Sequence, residues 1–209
     1  MRENDIVMKE RFKNHKNVCL ELESLGYKKT EVTISIFKAN VMAFLTAGPF
    51  ALIFALIYFS LKHYGLYELN NYIFRNPSMF FILALFIVVC IPVHEGLHGI
   101  FWAVSCKKKF KSIQFGVIWK NLTPYCHCKE ALSVLQYYSG LLAPFIILGI
   151  IPSIIAVIIG NQLLLAVGII NILSAGGDTT IACLLVKYIG KNVRVSDHPI
   201  KCGCVAFEK

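Results

Sequence analysis

The chain has 209 residues, 56% of them hydrophobic and only 16% charged, with a positive mean hydropathy. That balance excludes an ordinary soluble domain and makes the membrane the first expectation. The net charge of +9 points in principle to nucleic acid, but the basic residues are segregated along the chain in a way that argues against that partner.

Residues 1–38 are mixed and charged. A helix is expected from about Lys9 to Leu25, ending at Gly26, followed by a short strand in the alternating run Val32-Thr33-Ile34-Ser35-Ile36. This segment is too short to build a core of its own. Four stretches then have the length to cross a hydrocarbon layer, which takes about 20 apolar residues: Ala39 to Leu61, Met79 to Val104, Ser139 to Ile159, and Leu163 to Val186. The first begins well inside the chain after a charged segment, unlike a cleavable signal peptide. A polar and aromatic loop, Lys62 to Ser78, joins spans one and two. The connection Gly160-Asn161-Gln162 is so short that spans three and four form an antiparallel hairpin. The loop from Ser105 to Tyr138 contains a partly alternating stretch, Phe110 to Trp119, that reads as an exposed strand or hairpin.

With a cytoplasmic N-terminus, inner segments hold nineteen Lys and Arg and outer segments only Lys62 and Arg75. This asymmetry places both termini in the cytoplasm and a multi-pass chain in the cell membrane. Membrane lipid, rather than nucleic acid, accounts for the basic excess. On this topology the eight cysteines are expected mostly as free thiols. Pro144 and Pro152 read as tolerated kinks, Lys107-Lys108-Lys109 as a lipid-facing anchor, and Tyr58, Phe59, Tyr64, Tyr67 and Tyr72 as an outer interfacial belt.

Residues 94–98 read His-Glu-Gly-Leu-His. Positions i and i+4 of a helix share a face, so His94 and His98 can present ring nitrogens to one metal ion, with Glu95 placed to take a proton from its water. Ionisable groups at membrane depth cost about 2.5 to 3.5 kcal/mol each on insertion scales, and a metal compensates them. Catalytic zinc usually takes a third protein ligand. Among acidic residues only Glu95 and Asp178 fall inside the spans, and Asp178 and His94 each lie about 15 residues, or ~23 Å, from the outer end of their span. Asp178 follows Ser174-Ala175-Gly176-Gly177, small residues that permit close helix approach or local unwinding. Asn171, about two turns earlier, faces a similar way and can support the site or bind a substrate backbone.

The stretches His94-Glu95-Gly96-Leu97-His98, Leu122-Thr123-Pro124-Tyr125-Cys126-His127-Cys128-Lys129-Glu130 and Ser174-Ala175-Gly176-Gly177-Asp178 together resemble a family of small bacterial membrane proteins classed as zincin peptidases of unknown function, over about residues 80–190. More distantly the layout is similar to site-2 proteases, intramembrane metalloproteases in which a His-Glu-x-x-His helix and an Asp of a later helix bind zinc. The resemblance implies His94, His98 and Asp178 as ligands of one catalytic Zn2+ and Glu95 as base. It departs from the site-2 pattern where that pattern has Asn-x-x-Pro and then Asp-Gly: Asn171 is followed three residues later by Ser174, and Asp178 by Thr179.

Plainer readings stand beside these. The His94, Glu95 and His98 group can be a structural polar cluster, and Asp178 a helix-packing or proton-relay acid. Cys126-His127-Cys128 reads as a second metal site, a redox-sensitive pair or part of a hairpin, with His127 as possible substrate or oxyanion support. Cys202-Gly203-Cys204 reads as part of a mobile tail.

The expected fold class is therefore all-α transmembrane with four membrane-spanning helices: a cytoplasmic N-terminal segment over 1–38, a four-span zincin-like membrane domain over 39–190 with a cytoplasmic hairpin loop between spans two and three, and a cytoplasmic C-terminal tail over 191–209. The expected activity is that of a zinc metallopeptidase of the His-Glu-x-x-His type acting on a membrane-anchored polypeptide, with Phe110 to Trp119 offering an edge for an extended substrate. The alternatives are a non-catalytic metal-binding or ion and proton transport protein, disfavoured by the apolar outer halves of the spans, and a scaffold that has lost activity.

Overall fold

The computed structural model describes residues 3–62, 66–73, 75–119 and 123–209. Tyr64 and Leu122, singled out above, lie outside the described residues. The chain begins with α1 (Glu3–Ser24) and β1 (Lys28–Thr33), then α2 (Ile36–Thr46) and α3 (Gly48–Lys62), which together make one apolar run. A short helix α4 (Leu66–Ile73) lies in the expected outer loop, ahead of the long α5 (Pro77–Ser105). The strands β2 (Ile113–Ile118) and β3 (Thr123–Cys128) and the two-residue β4 (Leu132–Ser133) lead into α6 (Val134–Pro144). A π-helical turn over Phe145–Ile150 joins α6 to α7 (Ile151–Ile159). The chain closes with α8 (Gln162–Ser174), α9 (Gly176–Leu185), β5 (Val193–Asp197) and β6 (Gly203–Glu208).

Local chemistry sets these boundaries. Asn76 accepts from the backbone N–H groups of Ser78 and Met79, and Pro77 occupies the first turn where a missing N–H costs nothing, so α5 starts there. Ser133 and Gln136 form a reciprocal capping box at the start of α6. Gly160 takes a left-handed φ of 73° to end α7, and Asn161 caps α8, which makes the expected tight hairpin. The two prolines of the third span flank the π-helical turn, where neighbouring helices absorb the irregular backbone.

Three helical runs are long and apolar enough to cross a membrane: Phe37–Lys62, Pro77–Ser105 and Val134–Ile159. A fourth is the pair Gln162–Ser174 and Gly176–Tyr188, bent by 47°. Only 6% of the apolar window of α5 is buried within the chain. So large an exposed apolar surface is what a lipid environment covers.

The expected all-α class is corrected by two small sheets. β1, β6, β5 and β4 form an antiparallel sheet in that order, with Val32 opposite Cys204 and Val195 opposite Ala206. β2 and β3 pair as a separate hairpin with Phe115 opposite Cys126. The C-terminal residues expected as a mobile tail are instead strands, with Cys204, Val205, Ala206 and Phe207 fully buried. α1 covers one face of this sheet, setting Cys19 and Leu22 against Val205 and Phe207. The expected strand at 32–36 falls earlier, at Lys28–Thr33, because Ser35 already caps α2 by accepting from the Lys38 N–H. Tyr58, expected in an interfacial belt, is fully buried against Ala156 and Leu165. Since β1 leads into α2, α5 into β2, β4 into α6, and α9 toward β5, the sheets gather at one end of the helices. The largest core cluster, including Trp102, Tyr137, Leu185 and Val195, joins helix ends to sheet.

Candidate metal centre

His94 and His98 lie one turn apart on α5, with ring centroids 4.8 Å apart and planes at 77°. Asp178 comes from the first turn of α9, just past the break after Ser174. A carboxylate there also meets the positive end of the helix dipole. The break is packed in place by α2. A Cβ on Gly176 would lie 2.4 Å from the Ala43 Cβ, so only glycine admits this approach, and Thr46 bonds the Thr179 hydroxyl at 2.8 Å. The Asp178 carboxylate reaches both histidines, Oδ2 at 3.1 Å from His94 Nε2 and Oδ1 at 3.5 Å from His98 Nε2.

The donor set fits a metal ion. One ligand atom from each of His94, His98 and Asp178 lies within 4.8 Å of the others, and no other group of three His, Cys, Asp or Glu meets that condition among the described residues. Orientation agrees with this. His98 Nδ1–H donates to the Gly140 carbonyl at 2.8 Å, which leaves a lone pair on Nε2 facing the carboxylate. Two lone pairs at that separation call for a cation between them, either a proton or a metal. The Gly140 carbonyl can reach His98 because α6 presses on α5: a Cβ at Gly140 would lie 2.2 Å from the Trp102 indole. Trp102 in turn stacks on His98 at 5.3 Å.

A cavity of about 230 Å³ opens beside the centre, lined by His94 and Glu95 together with Ile87, Ile91, Pro124, Ile170 and Asn171. Glu95 thus lines the cavity beside His94, near enough to interact electrostatically with both histidines and Asp178, and the Cys126 backbone N–H donates to its carboxylate. Asn171 is buried at the cavity wall. Its Nδ2 donates to the Val167 carbonyl at 2.8 Å and faces the Cys90 sulfur at 3.5 Å.

β3 brings the hairpin to this cavity. Lys129 N–H donates to Ser112 O across the hairpin, and Cys128 N–H donates away from it to Asp197 Oδ2, so the even-numbered residues 124, 126 and 128 turn their main chain to the open edge. That edge, not β2, adjoins the site. The sequence marked the hairpin at Phe110 to Trp119, but nothing local to it told which strand would lie inward. Gly140 was missed altogether, since a glycine in an apolar span carries no chemical signal of its own, and Pro124, though part of a stretch that carries the family resemblance, was assigned no place at the cavity.

His127 does not join the centre. It is buried between α1 and β5, where an Arg11 Nη–H donates to its Nδ1 at 3.2 Å and Asp197 Oδ2 lies 3.5 Å away. Burial pushes its pKa down to about 4, with Arg11 adding to the fall and Asp197 opposing it. The imidazole is therefore neutral near pH 7, and the contact with Asp197 is not an ion pair. All eight cysteines are free thiols. The close sulfur pair is Cys106 and Cys128, 3.4 Å apart, and not Cys126 with Cys128.

Fold and site define a helical protein with three or four candidate membrane spans and a zincin-type pair of histidines completed by a distant aspartate. Residues 86–192, more than half of the chain, match the family described as "Putative zincin peptidase", and the chain belongs to that family. All three donors lie within the matched residues, and the family places the chain in the metallopeptidase class. No curated protein and no solved structure matches it.

Proposed function

We propose that this chain is a membrane-embedded zinc metallopeptidase that hydrolyses peptide bonds of membrane-associated polypeptides. The observation that carries this reading is the convergence of His94, His98 and Asp178 beside a cavity that Glu95 lines. His94, His98 and Asp178 would hold a zinc ion, whose Lewis acidity would acidify a water molecule and polarise a carbonyl. Glu95 acts as the base that takes the water proton and then passes it to the leaving amine. The Cys126 N–H holds its carboxylate toward the cavity.

The substrate runs as an extended strand along the open edge of β3. Pro124 has no N–H, and the N–H groups of Cys126 and Cys128 are taken by Glu95 and Asp197, so this edge offers carbonyls only. An unfolded peptide donates its own N–H groups to them. The apolar cavity wall of Ile87, Ile91 and Ile170 receives a side chain of the substrate, which favours peptidase over transport. In the proposed topology both termini and the sheets lie in the cytoplasm, consistent with the nineteen inner basic residues.

Metal analysis of purified protein together with Glu95→Gln and His94→Ala tests this. About one zinc per chain is expected, lost in His94→Ala and retained in an inactive Glu95→Gln. Unchanged zinc in His94→Ala would sink the site assignment, and an active Glu95→Gln would sink the mechanism.

A further inference from the structure

Asp197 closes β5 at the junction of sheet and helices, with only 8% of its surface exposed. Its two oxygens hold two different elements. Oδ1 accepts from the Tyr137 hydroxyl at 2.6 Å, and Oδ2 accepts from the Cys128 backbone N–H at 2.7 Å. Both are short bonds to a carboxylate, the class that contributes most. The nearby His127 adds no third bond, because Arg11 already donates to its facing nitrogen.

Each partner leads to the candidate metal centre by contacts of its own. Tyr137 lies on α6 three residues before Gly140, whose carbonyl accepts from His98. The Tyr137 carbonyl accepts from Trp102 Nε1–H at 2.9 Å, and its ring stacks on Trp102, which stacks on His98. Cys128 ends β3 two residues after Cys126, whose N–H meets Glu95. A strand is stiff along its axis, so fixing Cys128 fixes Cys126 about 6.6 Å away.

We infer that Asp197 is a positioning residue for the metal centre, one oxygen holding the α6 register that orients His98 and the other holding the β3 edge that meets Glu95. It lies outside the family-matched residues 86–192, on a strand read from sequence as tail. The inference rests on the reading of His94, His98 and Asp178 as zinc ligands. A carboxylate that orients a ligating histidine through its neighbours changes metal affinity, whereas one that only ties sheet to helix changes stability.

The test measures zinc affinity of the purified full-length chain by chelator competition, alongside thermal unfolding, for wild type, Tyr137→Phe and Asp197→Ala. Tyr137→Phe removes one hydroxyl and keeps the ring stack, so it decides the matter should Asp197→Ala not fold. Folded variants are expected to bind zinc about ten- to a hundredfold more weakly than wild type. Zinc affinity equal to wild type in the folded variants, with or without a lowered Tm, would overturn the inference. A wild-type chain that holds no zinc would instead overturn the site reading on which it rests.

Discussion

Asp178 Oδ2 lies 3.1 Å from His94 Nε2, a contact that joins residues 84 apart in the chain. It depends on the bend between α8 and α9, because a continuous helix would carry the first turn of α9 along a different line. The small residues at 174–177 and the Gly176 contact with Ala43 fix that bend. Asp178→Ala is expected to lower zinc affinity by more than the ten- to hundredfold typical of an outer partner. Chelator competition on the purified chain measures it, and full retention of affinity would remove Asp178 from the ligand set.

Gly140→Ala tests the close approach that lets the α6 carbonyl reach His98. The added Cβ would meet the Trp102 indole at 2.2 to 2.6 Å, so either α6 or the indole must move. Overpacking of this kind costs about 1–3 kcal/mol. The shift also lengthens the bond to His98 Nδ1, so zinc affinity falls together with Tm. Gly177→Ala is the matched control. A Cβ there meets nothing within 4 Å, and its Tm is expected to stay close to wild type.

Much of this was legible from the chain. The spans declare themselves by length and apolarity, and His94, Glu95 and His98 by helical spacing. Depth counting then brought Asp178 to the same level from a separate span. What stayed hidden depends on pairing between distant segments. β6 is six residues containing a Gly and a Cys, with no alternation to mark it, and its partners β1 and β5 lie on either side of it in the sheet though β1 is about 170 residues away in sequence. His127 was read as substrate or oxyanion support within the hairpin, yet strand alternation turns it to the opposite side from Cys126, toward Arg11.

The C-terminal strand carries weight that a tail would not. Phe207 is fully buried and packs with Cys19 and Leu22 of α1. Phe207→Ala is expected to cost about 3–5 kcal/mol, the range for truncating a buried aromatic. Hydrogen exchange should then rise in β1, β5 and β6 together, since β6 lies between the other two. Exchange in these strands as fast as in a disordered chain, already in wild type, would contradict the sheet.

His127 gives the pH dependence of that same junction. Its folded pKa of about 4 lies below the ordinary value of 6.5 because burial opposes the charged form. Above 6.5 the imidazole is neutral in both folded and unfolded chains, so it favours neither state. Between 6.5 and 4 the unfolded chain takes up a proton that the folded chain refuses, so stability falls as pH falls through this window and levels off below it. With the side chain only 3% exposed, the full effect is about 3 kcal/mol. His127→Gln keeps an acceptor for Arg11 and removes the titration. His15 and His198 are also held below 6.5, chiefly by burial, so they retain their share and the slope shrinks without vanishing. Denaturant unfolding of wild type and His127→Gln at pH 7, 6 and 5 measures the difference. An identical slope in the two proteins would mean that His127 is charged or solvated in the folded chain.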